Sequence, residues 1–366
     1  MVVTPLLPPA PGGGGVYTQL LVNGLLNLDI IEFAAVLTEK HPNQPDIELL
    51  RAGYLKIYRH FPFRAGIASK SFSRYFQYLY QNLQFLGIVL YVRKMGITHL
   101  LIHSSFHNHP NLMWLSMRLV RFFIPSVKQI LDVRDPKLPP SKFEEVYLYQ
   151  KVVCCSENVI QHFSGDASLT NKLVHIPIII DINKPTEQEI SDCKRRYGLD
   201  SFGYVFNGSG VSKEKATDRI LEAVRELRKK MPDVCLVVAG KKRDWLSNYD
   251  VAEDSGLLRY VGIIPHQDVL CLSAGALVDV NLSHVDSMPR ASLEALVSGG
   301  RVLLPRGVPE FDRDCPENVA VADDVESVTK QLLEIIQNNC HAKYDVSSHS
   351  PWPVLHAYGE LFRNEF

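Results

Sequence analysis

The stretch YVFNGSGVSKEKATDRILEAVRELRKKMPDVCLVVAG, Tyr204 to Gly240, sets two apolar patterns side by side. Its ends, within GYVFNG and VCLVVAG, are short continuous apolar runs of the kind that suits strands covered on both faces of a parallel sheet. Between them Ile220, Leu221, Val224 and Leu227 recur at helical spacing. The segment reads as strand, loop, helix and strand.

The same alternation extends outward in both directions. VVTPLL, IIEFAAVL, THLLIHS, VKQILDV, KVVCCS and LVHIP are strand-like before it, and RYVGI, LVDVNLS, RVLLP and NVAVA after it. Strands alternating with helices predict α/β architecture, two Rossmann-like doubly wound domains with parallel sheets. IPIIIDINKP closes the first set of strands, so the boundary is expected near Asp181–Pro185. The expected organisation is 1–183, 184–345 and a terminal helix in 346–366, with Trp352, Leu355, Tyr358 and Leu361 on one side. Two such sheets are expected to face a central cleft at their carboxyl edges, where ligands bind in open α/β sheets.

Composition narrows the class. The chain has 366 residues, 46% apolar and 22% charged, which is the profile of a globular protein with room for two cores. No apolar run approaches the roughly 18–20 residues that span a bilayer. The opening MVVTPLLPPAP lacks Lys and Arg and is broken by prolines, so no signal peptide is expected. Seven cysteines without a CxxC pair argue against a disulfide framework or a zinc site and fit a reducing cytoplasm.

Charge is unevenly spread. Residues 1–131 hold 12 basic and 5 acidic side chains, while the remainder is acidic. No Asp or Glu occurs in the 83 residues between Glu48 and Asp132, which include eleven Lys or Arg. In 51–94, Tyr and Phe recur among these cations, a pattern suited to peripheral contact with an anionic membrane or to a lipid-pyrophosphate acceptor. The alternative is a pair of amphipathic helices with aromatics in the core. No nucleic-acid-binding signature is present, and no nucleic acid partner is expected.

Chemistry concentrates in DSMPRASLEALVSGGRVLLP, Asp286 to Pro305. Pro289 fits a first helical position, with Ser287 near the cap. N–H groups around Arg290 and Ala291 are then left to face a phosphate. Asp286 and Glu294 flank that end, and a nucleotide diphosphate sugar has hydroxyls and phosphates in the matching order. A surface pair between Arg290 and Glu294 at i,i+4 explains the same residues without a ligand. Gly12 to Gly15 follow the first strand-like run, with a helix expected from about Tyr17. They form either a phosphate- or sugar-approaching turn or a flexible loop. Arg134, between Asp132 and Asp135, is open to a site role or a structural ion pair. His103, His107 and His109 are read as structural or as acceptor-side polar groups, without metal.

Taken in order, these segments resemble the retaining GT-B glycosyltransferases of family 4. HVDSMPRASLEALVSGGRVLLPRGVPEF resembles their E-x7-E region with Asp for the first Glu, and PGGGGVYTQLL their Gly-rich first loop. LDVRDPKLPP resembles a D-x-R-D strand end found in polysaccharide-building members, and YVFNGSGVSKEKATDRILEAV the opening of their second domain. The resemblance implies transfer of a hexose-type sugar from a nucleotide diphosphate sugar, a UDP-sugar, to a glycan or lipid-linked glycan, with retained configuration. No metal or cofactor is implied. It puts Lys215 on the donor phosphates, Asp286 on the sugar, Glu294 on the ribose and Arg134 where members carry a sugar-side His. Gly208 and Ser209 fall in the phosphate loop, and Ile263 in the turn whose backbone meets the base. Ser287, Met288, Pro289, Arg290 and Ala291 form the helix start, while Gly14 and Gly15 approach the reacting centre. Ser209 departs from the pattern, since members carry an Arg in that loop; Lys213 or Arg243 are the candidates to replace it. A sugar-nucleotide epimerase and a catalytically silent sugar- or lipid-binding protein are the rival readings.

Overall fold

The computed structural model describes residues 1–3, 13–39, 47–50, 55–61, 89–103, 113–134, 146–284, 286–322 and 324–363. The chain divides into two compact units, Met1–Ile179 with His349–Phe366, and Ile180–Ser348.

The first unit is built on eight strands: β1 (Val2–Val3), β2 (Ala34–Glu39), β3 (Ile47–Leu50), β4 (Leu55–Phe61), β5 (His99–His103), β6 (Lys128–Val133), β7 (Lys151–Cys154) and β8 (Leu173–His175). Their order is β3-β4-β2-β1-β5-β6-β7-β8, parallel except for β3 against β4. Leu100, Ile102, Ile130, Leu131, Val152 and Val153 are fully buried or nearly so, as continuous apolar runs require when helices cover both faces. β3 and β4 correct the sequence reading, which treated YLKIYRHF as the start of the basic aromatic stretch. Leu55, Ile57 and Phe61 keep a period of two that Arg59 interrupts, and the strand runs parallel to β2. Residues 62–88, the rest of that stretch before the helical 89–94, lie outside the described residues, as do His107, His109 and Asp135.

Two helices of this unit pack closely. The first, Gly13–Asn27, begins within the glycine run rather than near Tyr17, so Gly14 and Gly15 lie in its first turn. Gly12 lies outside the described residues. The terminal helix, Pro351–Arg363, buries Val354, Leu355, Tyr358 and Leu361. Gly24 leaves room for Leu355, whose Cδ1 lies 2.5 Å from where a Cβ would sit. Trp352 departs from the expected face: it is 65% exposed and rests on the His356 ring 4.0 Å away. Pro at positions 351 and 353 brackets it in the first turn, where the chain is still leaving the preceding loop.

The second unit carries β9 (Tyr204–Asn207), β10 (Cys235–Ala239), β11 (Leu258–Gly262), β12 (Val278–Val280) and β13 (Val302–Leu303), all parallel, in the order β11-β10-β9-β12-β13. Alternate side chains divide between two cores. Val205, Leu236 and Val238 pack with Ile220, Leu221, Val224, Val328 and Leu332 of helices Thr217–Arg228 and Val325–Asn338. Tyr204, Phe206, Cys235 and Val237 pack with Cys193, Cys271 and Leu272 of helices Glu187–Arg196 and His266–Ala274. The sheet is covered on both sides, which is why its strands read as unbroken apolar runs. NVAVA forms no strand; it contributes only an isolated bridge, Val319 to Leu304, after the turn Pro316–Asn318. No helix among the described residues is long and apolar enough to cross a membrane.

Candidate functional site

The strand order of the second unit reverses between β9 and β12, the two central neighbours. The loops leaving their carboxyl ends straddle this switch point, the place where open α/β sheets bind ligands. One loop carries Lys215 and the other Asp286.

The lysine loop is fixed by backbone contacts. Gly210 (φ +84) and Gly240 (φ +116) cross so closely that a Cβ on Gly240 would lie 2.9 Å from Gly210 Cα. Only glycine tolerates both the left-handed backbone and this approach. Val211 N–H donates to Lys241 O at 2.9 Å, and Arg243 N–H to Val211 O at 2.9 Å. Ser212 Oγ accepts from Lys215 N–H at 3.3 Å, capping the turn Lys213–Lys215. Ala216, in the left-handed region at φ 52, then redirects the chain into helix Thr217–Arg228. Lys215 Nζ emerges to pair with Asp286 Oδ2 and lies 3.4 Å from Ser283 Oγ. Two residues predicted 71 positions apart are thus in direct contact.

Asp286 leads into helix Arg290–Val297. Pro289 is the residue before this helix rather than its first, a shift of one position, and no side chain caps the end. Ser292 and Leu293 N–H groups bond back to Pro289 O, at 3.1 and 3.3 Å. Helix geometry leaves the N–H groups of Arg290 and Ala291 without an intrahelical acceptor. Arg290 Nη1 is buried with no partner among the described residues, a spare donor at the same end.

Glu294, 8% exposed, is the buried acid of the site. Its Oε1 accepts from Arg290 Nε at 2.6 Å and lies 3.0 Å from His266 Nε2. The i,i+4 pair read from sequence therefore exists, but it is largely buried and shared with a third residue. Oε2 has no partner among the described residues. Burial alone would raise the Glu294 pKa, but the His266 hydrogen bond and the Arg290 charge outweigh it and hold the carboxyl below its ordinary value. Behind it, on β12, Asp279 is buried and accepts from Ser273 Oγ at 2.5 Å. Burial pushes its pKa up to about 7, with the charge of Glu294 acting in the same direction.

The other predicted positions separate clearly. Ser209 N–H and Oγ donate to Asn207 Oδ1 at 2.9 and 2.7 Å, so its hydroxyl serves the turn. Gly208 is next to it, with Phe206 and Val269 3.2 Å from a built Cβ. Ser287 and Met288 are buried at the entry to the helix. Ile263 is 69% exposed and three residues from His266, so the turn after β11 stands beside Glu294. Neither candidate for the missing cation joins Lys215: Arg243 lies 3.9 Å from Glu214 at the surface, and Lys213 is exposed with its N–H on Asp244.

Sequence reasoning missed His266, Asn207 and Asn281. His266 opens a helix in IIPHQDVL, and a His at that position carries no signal until Glu294 is seen opposite. Asn207 and Asn281 sit at the carboxyl ends of β9 and β12, and each has a buried Nδ2 without a partner among the described residues.

Arg134, Gly14 and Gly15 belong to the first unit. Arg134 donates to Asp132 Oδ2 from Nη2 at 2.6 Å and from Nε at 3.1 Å, with its guanidinium 3.0 Å above the Tyr17 ring. Asp132 also meets His103 Nδ1 at 3.1 Å, and His103 Nε2 lies 3.1 Å from Thr18 Oγ1. Tyr17 O–H donates to Tyr358 Oη at 2.9 Å, tying the cluster to the terminal helix. Burial lowers the His103 pKa to about 4 against the pull of Asp132, so the ring is neutral. His103 and Arg134 are thus tied into one buried network at the ends of β5 and β6.

No protein-family model matches the chain, and no curated protein matches it in sequence. Solved structures do match, over nearly its whole length. Sucrose-phosphate synthase from Thermosynechococcus elongatus aligns with TM-score 0.72 and 14% identity, covering 99% of this chain and 97% of that one. The fold is GT-B. Anabaena HepE in complex with UDP and glucose is another GT-B neighbour, with TM-score 0.70, 12% identity and 98% of both chains covered. A trehalose-6-phosphate protein from E. coli, bound with UDP-2-fluoro glucose, has TM-score 0.66 and 12% identity over 100% and 99%. At such identities the likeness is one of fold.

Proposed function

We propose that this GT-B chain is a retaining glycosyltransferase of family 4 type, moving a hexose-type sugar from a UDP-sugar to a hydroxyl of a glycan or lipid-linked glycan in polysaccharide synthesis. The observation that carries the reading is the constellation at the β9/β12 switch point. Lys215, the open amino end of helix Arg290–Val297 and two acids, each with an oxygen lacking a partner among the described residues, stand together there. The GT-B neighbours solved with UDP, UDP-glucose and UDP-2-fluoro glucose support uridine as the base.

In this reading Lys215 exchanges Asp286 for the donor diphosphate, which frees Asp286 for the sugar hydroxyls. Lys215 and the Arg290 and Ala291 N–H groups stabilise charge growing on the leaving diphosphate. Glu294 accepts from the ribose through Oε2, while Arg290 and His266 keep it ionised and oriented. The backbone at Ile263 meets the base. The leaving phosphate takes the acceptor proton on the same face of the sugar, so no side-chain nucleophile is required. No metal or cofactor enters this scheme. The first unit is read as acceptor-binding, and the 51–94 stretch as the contact with the cytoplasmic face of an anionic membrane.

A catalytically silent sugar-binding protein is the second reading, favoured by Ser209 being spent on a turn and by Arg134 being held by Asp132. A thermal-shift panel of UDP, GDP, ADP and their sugars tests the donor, since a ligand bound to the folded state raises Tm with concentration. UDP release from UDP-glucose, lost in Lys215→Ala and Glu294→Ala proteins that remain folded, separates enzyme from silent binder. An unshifted Tm with every nucleotide removes both readings.

A further inference from the structure

In a parallel sheet, the segments that lead into successive strands return to one edge. Here those leading into β5, β6, β7 and β8 do so visibly. Lys128 N–H donates to Thr98 O at 2.9 Å, Gln150 N–H to Gln129 O at 3.0 Å, and Lys172 Nζ to Tyr147 O at 3.0 Å. Arg121 Nη1 reaches Leu148 O at 3.1 Å. The amino edge of the first sheet is therefore a continuous surface built from residues 90–98, 118–128, 146–151 and 166–172.

Its composition is one-sided. Arg93, Lys94, Arg121, Lys128, Lys151 and Lys172 lie along it, and within these segments the sole acid is Asp166, which accepts from the Tyr147 hydroxyl and from Ser168. The terminal helix ends at the same edge, with Phe362 5.2 Å from His99, Arg363 in its last turn and Glu360 one turn back. Asp29 and Glu32 precede β2, beyond β1. In the same segments as the cations stand exposed apolar groups: Phe122 at 79% and Phe123 at 55%, and Leu90, Met95 and Tyr147. A soluble surface normally keeps two adjacent Phe out of water.

We propose that this amino edge docks on a membrane surface bearing anionic phospholipid headgroups, with Phe122 and Phe123 entering the interface and Arg93, Lys94 and Arg121 facing the headgroups. Exposed aromatics beside basic side chains, at an edge nearly empty of acids, match the apolar and electrostatic halves of interfacial binding. A single-stranded nucleic acid fits less well, because the two Phe rings pack at 90° to one another and present no parallel faces for successive bases. The inference keeps the anionic-membrane partner of the proposed function, is independent of the sugar chemistry, and moves the contact to this edge. It places the contact at residues largely outside 51–94.

Sedimentation of the full chain with vesicles of phosphatidylcholine, with and without phosphatidylglycerol, at low and high salt, tests it. Binding is expected only with phosphatidylglycerol, and weaker at high salt. Phe122→Ser with Phe123→Ser, and separately Arg93→Ser with Lys94→Ser, are each expected to lower the partition coefficient roughly tenfold or more. All four side chains are exposed, so both proteins should fold and keep the wild-type Tm. Wild-type partition in both variants, binding indifferent to lipid charge and salt, or binding to single-stranded RNA in preference to vesicles overturns the proposal. The thermal shift by UDP is measured on the same samples. Vesicle binding lost with the UDP shift intact counts for the docking surface, and a missing UDP shift with vesicle binding intact counts only against the nucleotide reading.

Discussion

Replacing Asp279 with Asn should change how the second unit responds to pH. Burial, with Glu294 nearby, raises this carboxyl from its ordinary value of 3.8 to about 7. The folded state therefore holds the proton more tightly than the unfolded chain. Below about pH 3.8 both states are protonated and the group costs nothing. As pH rises from there to about 7, the unfolded chain ionises first and stability falls; above 7 the loss is complete. At about 1.4 kcal/mol per pH unit, the loss amounts to about 4 kcal/mol. For a unit of this size that is roughly 10 °C in Tm. Asn removes the titration but leaves a buried amide, whose pH-independent cost adds a constant to the difference between the two curves, so the slope of that difference is the readout. Calorimetry from pH 4.5 to 8 should show the wild-type transition of this unit falling relative to the variant, with the divergence flattening near neutrality. Parallel Tm curves across that range would refute the assignment. Glu294→Gln, which removes the neighbouring charge, should shift the wild-type inflection to lower pH.

The first unit should behave in the opposite sense. His103 has its pKa lowered by burial to about 4, so its contribution is intact above about 6.5 and lost as pH falls toward 4, on the order of 3 kcal/mol; His103→Gln should remove that acid-side loss in a calorimetric scan. Asp132→Ala leaves Arg134 buried without its counter-charge and should cost about 3–5 kcal/mol, read as the denaturant midpoint, with a smaller loss for Arg134→Met made in the same background. Gly240→Ala places a Cβ against the Gly210 backbone at a left-handed φ, and should cost about 2 kcal/mol or more by urea unfolding. A cost near zero would mean that the two loops part easily.

Much of the fold is legible because parallel strands buried on both faces cannot disguise themselves. CLVVA, YVF and VVC are apolar at every position, and helix Thr217–Arg228 shows its buried stripe directly. Where the reading failed, a local pattern was overridden or overlooked. The period of two at Leu55, Ile57 and Phe61 is interrupted by Arg59 and hidden among cations. NVAVA has strand propensity, yet its chain lies past a tight turn and makes only one bridge. Trp352 matches the apolar period of the terminal helix, but its ring stays exposed against His356. At the candidate site, Lys215, Asp286 and Glu294 are visible as charges next to turns and a helix start. The partners that set their state are not, because His266 on Glu294 and Ser283 beside Lys215 are meetings of separate elements.

The glycine crossing at 210 and 240 bears on speed. With the lysine loop stapled to its neighbour through main-chain hydrogen bonds, Lys215 has no hinged flap to ride on. Leaving Asp286 is then a matter of side-chain rotamer change rather than of segment motion. If this corner takes the proposed donor diphosphate, no loop closure has to precede contact with its cation.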